Sequence, residues 1–293
     1  METLNELVQF LQPSTRLDVK SLALHTVLSM TGNFESRLLL LNHQKLITSV
    51  IELAFSEVEQ KSVNKDAFFT FINLSADELD SKVLIDKHPD LVKRLVDYVL
   101  NEKSKFADTA CAILSNLSRG KRNSEIIFNK YFLEEKNEQN NNDSVKNYVN
   151  FEKLLKVFCT ENFNQSNKLD YLAPFICNLT QIETVRNTIL GDKLIIQRLL
   201  PYTTYERSTL RRGGIIGTIK NCCFNYDYHE MLLFSPDIDL LSRLLLPLAG
   251  PEEFDDEDMD KLPIDLQYLP PEKQREDDPD IRIMLIEALS MVC

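Results

Sequence analysis

Asp108-Thr-Ala-Cys-Ala-Ile-Leu-Ser-Asn-Leu-Ser-Arg-Gly120 is the stretch whose reading decides the fold. Ala110, Ile113, Leu114 and Leu117 recur at i, i+3, i+4 and i+7, which places them on one face of a helix. Gly120 is the predicted stop. Asn116 sits beside the apolar face. The same design returns at Phe71-Ile-Asn73-Leu-Ser75, Ile176-Cys-Asn178-Leu-Thr180 and Ile219-Lys-Asn221-Cys-Cys223. Two looser copies, Leu28-Ser29-Met-Thr31 and Leu289-Ser290-Met-Val292, carry serine in the Asn slot.

Measured along this slot, the marks fall at 29, 73, 116, 178, 221 and 290, so their spacings are 44, 43, 62, 43 and 69 residues. Three of these spacings match the roughly 40–47 residues of HEAT and armadillo repeats. Each long spacing contains an insertion. One is the polar, asparagine-rich run over 134–147, and the other is the acidic, proline-bearing run over 250–280. A second apolar helix is predicted before each later mark, at Leu46–Ile51, Leu91–Val96, Leu154–Phe158, Leu194–Leu199 and Leu240–Leu245. Such helices cannot bury their stripes alone, but stacked neighbours can bury them in a continuous core. The prediction is an all-α, right-handed armadillo/HEAT-like solenoid of about six repeats, forming one domain over residues 1–293.

Composition agrees. Only 7 of the 293 residues are glycine, and there is no tryptophan. No apolar run reaches the roughly 18–20 residues of a membrane span, and the first residues lack the basic start of a signal peptide. These features point to a cytoplasmic protein. The six cysteines form no Cys-x-x-Cys pair, so buried free thiols are expected rather than a metal or redox site. Of the net charge of −12, residues 251–280 supply −10, with 13 acidic and three basic residues. The rest of the chain is near neutral, which argues against a nucleic-acid partner.

No catalytic constellation is present. There is no Gly-x-Gly-x-x-Gly, no Gly-Lys-Ser/Thr phosphate loop and no Gly-x-Ser-x-Gly elbow, and the four histidines lack ligand spacing. Arg212-Gly-Gly-Ile-Ile-Gly217 is glycine-rich but opens a helix, where glycine allows close helix packing. Neither an enzyme nor a cofactor or metal protein is expected. The candidate binding residues are Asn73, Asn116, Asn178 and Asn221. A side-chain amide both donates and accepts, so one per repeat can ladder along an extended peptide. The alternative is that each Asn bonds the end of a neighbouring helix. Arg211 and Arg212 join this client-binding set. In the acidic insertion, Glu252, Glu253, Asp255, Asp256, Leu266 and Tyr268 are expected to form a charged partner contact or to meet the chain's own arginines. The stretch from Leu266 through Pro271 is read as extended across a groove.

Two stretches carry a family resemblance. One is Arg212-Gly-Gly-Ile-Ile-Gly-Thr-Ile-Lys-Asn-Cys-Cys-Phe224, followed by His229-Glu230. The other runs from Leu245-Leu-Pro-Leu-Ala-Gly-Pro-Glu-Glu-Phe254 through Leu262-Pro-Ile-Asp-Leu-Gln-Tyr-Leu-Pro-Pro-Glu-Lys-Gln-Arg-Glu276 to Asp280-Ile-Arg282. They resemble the eukaryotic armadillo-type folding factor for translation elongation factor 2. The resemblance implies a cytosolic, monomeric, non-enzymatic co-chaperone. Its client would be newly made elongation factor 2, and its partners the TRiC chaperonin and the heat-shock chaperone system. It also implies further helical repeats beyond Cys293. A second resemblance is to nuclear import adaptors, whose helices pair each Asn with a Trp four residues earlier. Here those positions hold Phe69, Ala112, Pro174 and Gly217, so the aromatic cage is missing.

Overall fold

The structure, a computed structural model, describes residues 2–132, 134–135, 146–147, 149–252 and 254–292. Most of the asparagine-rich insertion over 134–147 therefore lies outside the described residues, as do Glu253 and Cys293. Among the described residues the one strand pairing is a two-residue antiparallel ladder between Glu134–Glu135 and Lys146–Asn147. Everything else with regular structure is helical, and the fold is an armadillo-like solenoid.

The chain divides into two compact units, Met1–Leu169 and Asp170–Cys293. Unit 1 holds α1 (Glu2–Phe10), α2 (Leu17–Met30), α3 (Phe34–Asn42), α4 (Gln44–Ala54), α5 (Lys61–Leu74), α6 (Glu78–Lys87), α7 (Pro89–Val99), α8 (Ala107–Leu117), α9 (Lys121–Tyr131) and α10 (Val149–Cys159). Unit 2 holds α11 (Leu172–Leu179), α12 (Glu183–Leu190), α13 (Lys193–Leu199), α14 (Thr209–Cys222), α15 (His229–Phe234), α16 (Leu240–Leu245), α17 (Asp256–Met259), α18 (Ile264–Gln267) and α19 (Pro279–Val292).

The repeat is a triplet. A short helix leads into the second helix, which leads into the helix bearing the Asn mark: α3-α4-α5, α6-α7-α8 and α12-α13-α14. In α15-α16-α19 the acidic insertion, with α17 and α18, stands between the last two members. In the first two triplets the leading helices meet at a single residue. His43 ends α3 and caps α4, its Nδ1 accepting from Leu46 N–H at 3.2 Å. His88 joins α6 to α7, where Pro89 fills the first helical position, which needs no N–H.

The mark-bearing helices stack on one another, α2–α5–α8 in unit 1 and α11–α14–α19 in unit 2. In α8 the four predicted apolar residues, Ala110, Ile113, Leu114 and Leu117, are completely buried. Around α5, Phe55, Phe68 and Tyr98 bring their ring centroids within 5.3–5.5 Å of one another, an arrangement that adds to burial. Each buried large aliphatic or aromatic side chain stabilises by about 1.5–3 kcal/mol. A polar bond contributes roughly 1 kcal/mol. The apolar faces therefore hold the stack, and the polar bonds set its register.

Two expectations need correction. The Asp108–Gly120 helix stops at Leu117, not at the glycine. Ser118 caps it, with N–H bonded to Leu114 O at 3.1 Å and Oγ donating to Ser115 O at 3.1 Å. These bonds satisfy the terminal carbonyls, so no left-handed glycine is required. Gly120, with φ −81°, opens α9 instead. The stretch from Leu266 to Pro271 is not wholly extended either, because Leu266 and Gln267 end α18 and Leu266 is buried against the unit.

Candidate binding surface

Asn73, Asn116 and Asn221 each reach back one repeat. In unit 1, Asn73 Nδ2 donates to Thr31 Oγ1 at 2.7 Å, and Asn116 Nδ2 donates to Ser75 Oγ at 3.2 Å. In unit 2, Asn221 Nδ2 donates to Thr180 Oγ1 at 2.9 Å. The accepting hydroxyl always stands two positions after the mark of the preceding repeat. It always donates onward to a carbonyl three residues back: Thr31 to Leu28 O, Ser75 to Ile72 O and Thr180 to Cys177 O. Thr31, Ser75 and Thr180 are buried, and each is supplied with one donor and one acceptor.

An amide offers two N–H donors and an oxygen. The link to the neighbouring repeat uses one N–H. At Asn73 and Asn221 the Oδ1 accepts nothing among the described residues, while Asn116 Oδ1 accepts from Arg119 Nη2 at 2.6 Å. Asn73 is exposed, and Asn116, Asn178 and Asn221 are partly so. The helix-end role and the capacity to meet an extended chain therefore coexist in one side chain.

A second series was not read from the sequence. The backbone carbonyl two residues after each mark is bonded by the side chain eight residues after that mark. Arg37 Nη1 donates to Thr31 O at 3.3 Å, Ser81 Oγ to Ser75 O at 2.9 Å and Ser124 Oγ to Ser118 O at 2.6 Å. In unit 2, Arg186 Nη1 donates to Thr180 O at 3.0 Å, and His229 Nε2 lies 2.7 Å from Cys223 O. Three residue types share one task, so no repeated letter marks the position.

The two arginines are held inside unit 2. Arg212 donates Nε and Nη2 to the two oxygens of Glu276, at 2.5 and 2.8 Å, and Nη1 to Tyr205 O at 2.9 Å. Glu276 is buried. Burial works against its charge, but the hydrogen bonds and charge of Arg212 win and hold its carboxyl below the ordinary carboxylate range. Arg211 lies over the rings of Tyr202 and Tyr205, 5.1 and 5.6 Å from their centroids, a cation–π arrangement. The acidic insertion thus meets the chain's own arginine through Glu276.

Three further bonds staple the returning chain to the segment just after α16: Glu276 N–H to Pro247 O at 2.8 Å, Arg275 Nε to Leu248 O at 3.1 Å and Lys273 Nζ to Ala249 O at 3.2 Å. Of the remaining insertion residues, Glu252 pairs with Arg275, and Asp255 caps α17 by accepting from Asp258 N–H at 2.9 Å. Asp256 is exposed, Leu266 faces inward, and Tyr268 is 84% exposed. Glu253 lies outside the described residues.

The glycines of the Arg212–Gly217 stretch are filled by their neighbours. A Cβ on Gly214 would stand 2.5 Å from the Ala173 carbonyl carbon and 2.6 Å from Pro174 N. One on Gly217 would stand 2.7 Å from Cys177 Sγ. This is close helix packing of α14 on α11, and it leaves no room for a phosphate. Cys177, Cys222 and Cys223 are free thiols. Burial pushes Cys177 up to about 11 and Cys223 up to about 12, and raises Cys222 as well. No group of carboxylate, histidine and cysteine side chains among the described residues is arranged to hold a metal. No described helix is long and apolar enough to cross a membrane.

Solved structures similar to the chain include designed armadillo repeat proteins. A designed armadillo repeat protein in complex with the peptide (KR)4 superposes with a TM-score of 0.66 at 13% identity, covering 99% of both chains. A computationally designed armadillo repeat protein for modular peptide recognition gives 0.65 at 13% identity, covering 98% of this chain and 99% of that one. At these identities the likeness shows the fold alone. In sequence, residues 98–283 match the family described as a domain of unknown function, DUF383. The chain is 42% identical over 288 residues to the Protein HGH1 homolog of Danio rerio, covering 98% of this chain and 72% of the relative. It is 43% identical over 291 residues to that of Xenopus laevis, covering 99% and 76%. The human protein of that name is 39% identical over 288 residues, covering 98% and 70%. With this identity sustained along nearly its whole length, the chain belongs to the HGH1 homolog family.

Proposed function

We propose that the protein is a non-enzymatic co-chaperone that holds newly made elongation factor 2 in the cytoplasm. It would hand this client to the TRiC chaperonin and the heat-shock chaperone system. The reading rests on the resemblance carried by residues 212–282 and is supported by membership of a family built on an armadillo-like helical repeat scaffold. The observation that carries the mechanism is the Asn series. Each linked amide spends an N–H on its neighbour, and at Asn73 and Asn221 the Oδ1 is left to accept from a client backbone in an extended, incompletely folded segment.

The test is a pull-down from a eukaryotic lysate with the full-length protein. Recovery of elongation factor 2 together with chaperonin supports the reading, and absence of both overturns it. Changing Asn73, Asn116, Asn178 and Asn221 together to Ala tests the amides. Weaker client capture at unchanged helicity supports their role, whereas unchanged capture confines them to linking repeats.

A second reading, an import-type adaptor for extended peptides, draws on Phe69. It occupies the aromatic slot four residues before Asn73, is 38% exposed and has Lys65 Nζ 5.3 Å from its ring centroid. That reading requires a lysine-rich peptide to bind and the binding to be lost in Phe69→Ala.

A further inference from the structure

The acidic insertion builds a groove that the functional reading has not used. Its volume is about 850 Å³. It is lined by Leu245, which ends α16, and by Leu248, Phe254, Met259, Leu266 and Leu269. The walls are fixed rather than loosely apposed. Lys273, Arg275 and the Glu276 N–H tie the returning chain to the carbonyls of residues 247–249, and the Arg212–Glu276 pair anchors its end. An apolar cavity of this size, already formed and open to solvent, is the size of a ligand site. Phe254, at its edge, is 51% exposed.

The charge around the groove identifies the occupant. Residues 252–261 contain seven carboxylates and one lysine. Some carboxylates are used internally: Glu252 pairs with Arg275, and Lys261 serves Glu257 and Asp258. Asp256 and Asp260 have no ion-pair partner among the described residues and are exposed. The groove is thus lined mainly by apolar side chains, with Gln267 and the mutually paired Glu252 and Arg275 among them, and with excess negative charge on the helix that carries Met259. Nucleic acid and an anionic membrane would both be repelled. A segment with large apolar residues set between lysines or arginines matches both properties.

We propose that this groove captures a basic, amphipathic segment of a partner protein. Its apolar side chains would enter between Leu248, Phe254 and Leu266, and its cations would pair with Asp256 and Asp260. The proposal rests on the reading of the protein as a scaffold that binds other proteins, and it gives one contact of that scaffold a chemistry.

The experiment titrates the full chain into three fluorescein-labelled synthetic peptides and follows anisotropy. The first is Lys-Lys-Leu-Phe-Lys-Lys-Leu-Phe-Lys-Lys. The second replaces its Leu and Phe by Ser, and the third replaces its Lys by Glu. The expected result is at least tenfold tighter binding of the first peptide than of either other one. The double substitution Asp256→Asn/Asp260→Asn should weaken it about fivefold and flatten its salt dependence. Phe254→Ser should weaken it about tenfold. All of these sites are exposed, and unchanged circular dichroism would show that the variants fold.

Equal binding of the serine peptide would mean unspecific attraction to an acidic surface and would overturn the proposal. So would indifference to both variants, failure of the first peptide to bind, or preferential binding to phosphatidylserine vesicles. The lysate pull-down separates the two levels. If the first peptide fails while elongation factor 2 is still captured, the groove assignment falls and the scaffold reading stands. If the peptide binds as expected but no elongation factor 2 is recovered, the groove stands and the named client falls.

Discussion

Glu276 is charged in a place that disfavours charge, and Arg212 is the reason. Replacing it by Gln leaves the shape but removes the charge that Arg212 faces. Breaking a fully buried pair costs roughly 3–5 kcal/mol. The arginine end here keeps some solvent contact, so a loss of about 2 kcal/mol is expected for Glu276→Gln at pH 7. The carboxyl is lowered in the folded state. Its stabilisation is therefore present above the unfolded value of about 4.3 and is lost as pH falls through the lower folded one. The urea midpoints of the two proteins should differ at neutral pH and converge below about pH 4; a gap that persists unchanged at pH 3 contradicts this account.

The thiols allow a second check. Cys177, Cys222 and Cys223 have raised values, first of all because they are buried, so they stay protonated at pH 8. Iodoacetamide should modify them only after unfolding, as read by peptide mass spectrometry. Their unpaired state, and the burial of Cys222 and Cys223, were legible from their apolar surroundings. The Arg212–Glu276 partnership was not, because 64 residues separate the two. The sequence offered only the general possibility that acidic insertion and arginine meet. The hydroxyls that accept from the Asn marks lay in plain view as Asn-x-Ser/Thr at Ser75 and Thr180 and as Ser-x-Thr at Thr31. What was not visible was that they belong to the next repeat's hydrogen bonds.

At the scale of elements, the mark-bearing helix and the second helix of each repeat were readable because a wide apolar stripe repeats in both. The short first helices, such as α3 and α6, were not. Their lengths are 9 and 10 residues, and each buries few apolar side chains, so periodicity is weak in them. They are fixed instead by caps: the Asn33 side chain accepts from Ser36 N–H at 3.1 Å, and Asp77 accepts from Leu79 N–H at 2.8 Å. Helix spacing makes a sharper prediction in the glycine stretch. Gly214→Ala would press a methyl group onto the α11 backbone, which cannot yield, so a loss of about 1–3 kcal/mol is expected. Gly120→Ala meets only the Glu78 carboxylate end, 2.3 Å away, which can swing aside. It should change stability by less than about 0.5 kcal/mol. Thermal unfolding of the two variants decides the matter, and equal losses would contradict the packing argument.

For the whole molecule, the repeat period appears directly in its polar contacts. Asn73–Thr31, Asn116–Ser75 and Asn221–Thr180 span 42, 41 and 41 residues, while Arg37–Asp80 and Arg94–Glu52 span 43 and 42. Within each unit a repeat is bonded to the one before it, which is how a solenoid distributes its stability. This period was legible because one polar letter kept its place in each apolar helix. The groove of the insertion was not legible, because residues from 245 to 275 build it without periodicity. The same organisation bears on how holding should work. The single glycine-rich stretch that resembles a phosphate loop is occupied by Ala173, Pro174 and Cys177, so a nucleotide finds no cradle there. On the proposed reading the scaffold holds its client by binding alone. Suppression of aggregation of diluted, denatured elongation factor 2, followed by light scattering, should therefore saturate near one protein per client and be unchanged by ATP or its non-hydrolysable analogue. Saturation far below one to one, or a requirement for ATP, would show turnover and would remove the holding mechanism in favour of an enzyme-like cycle.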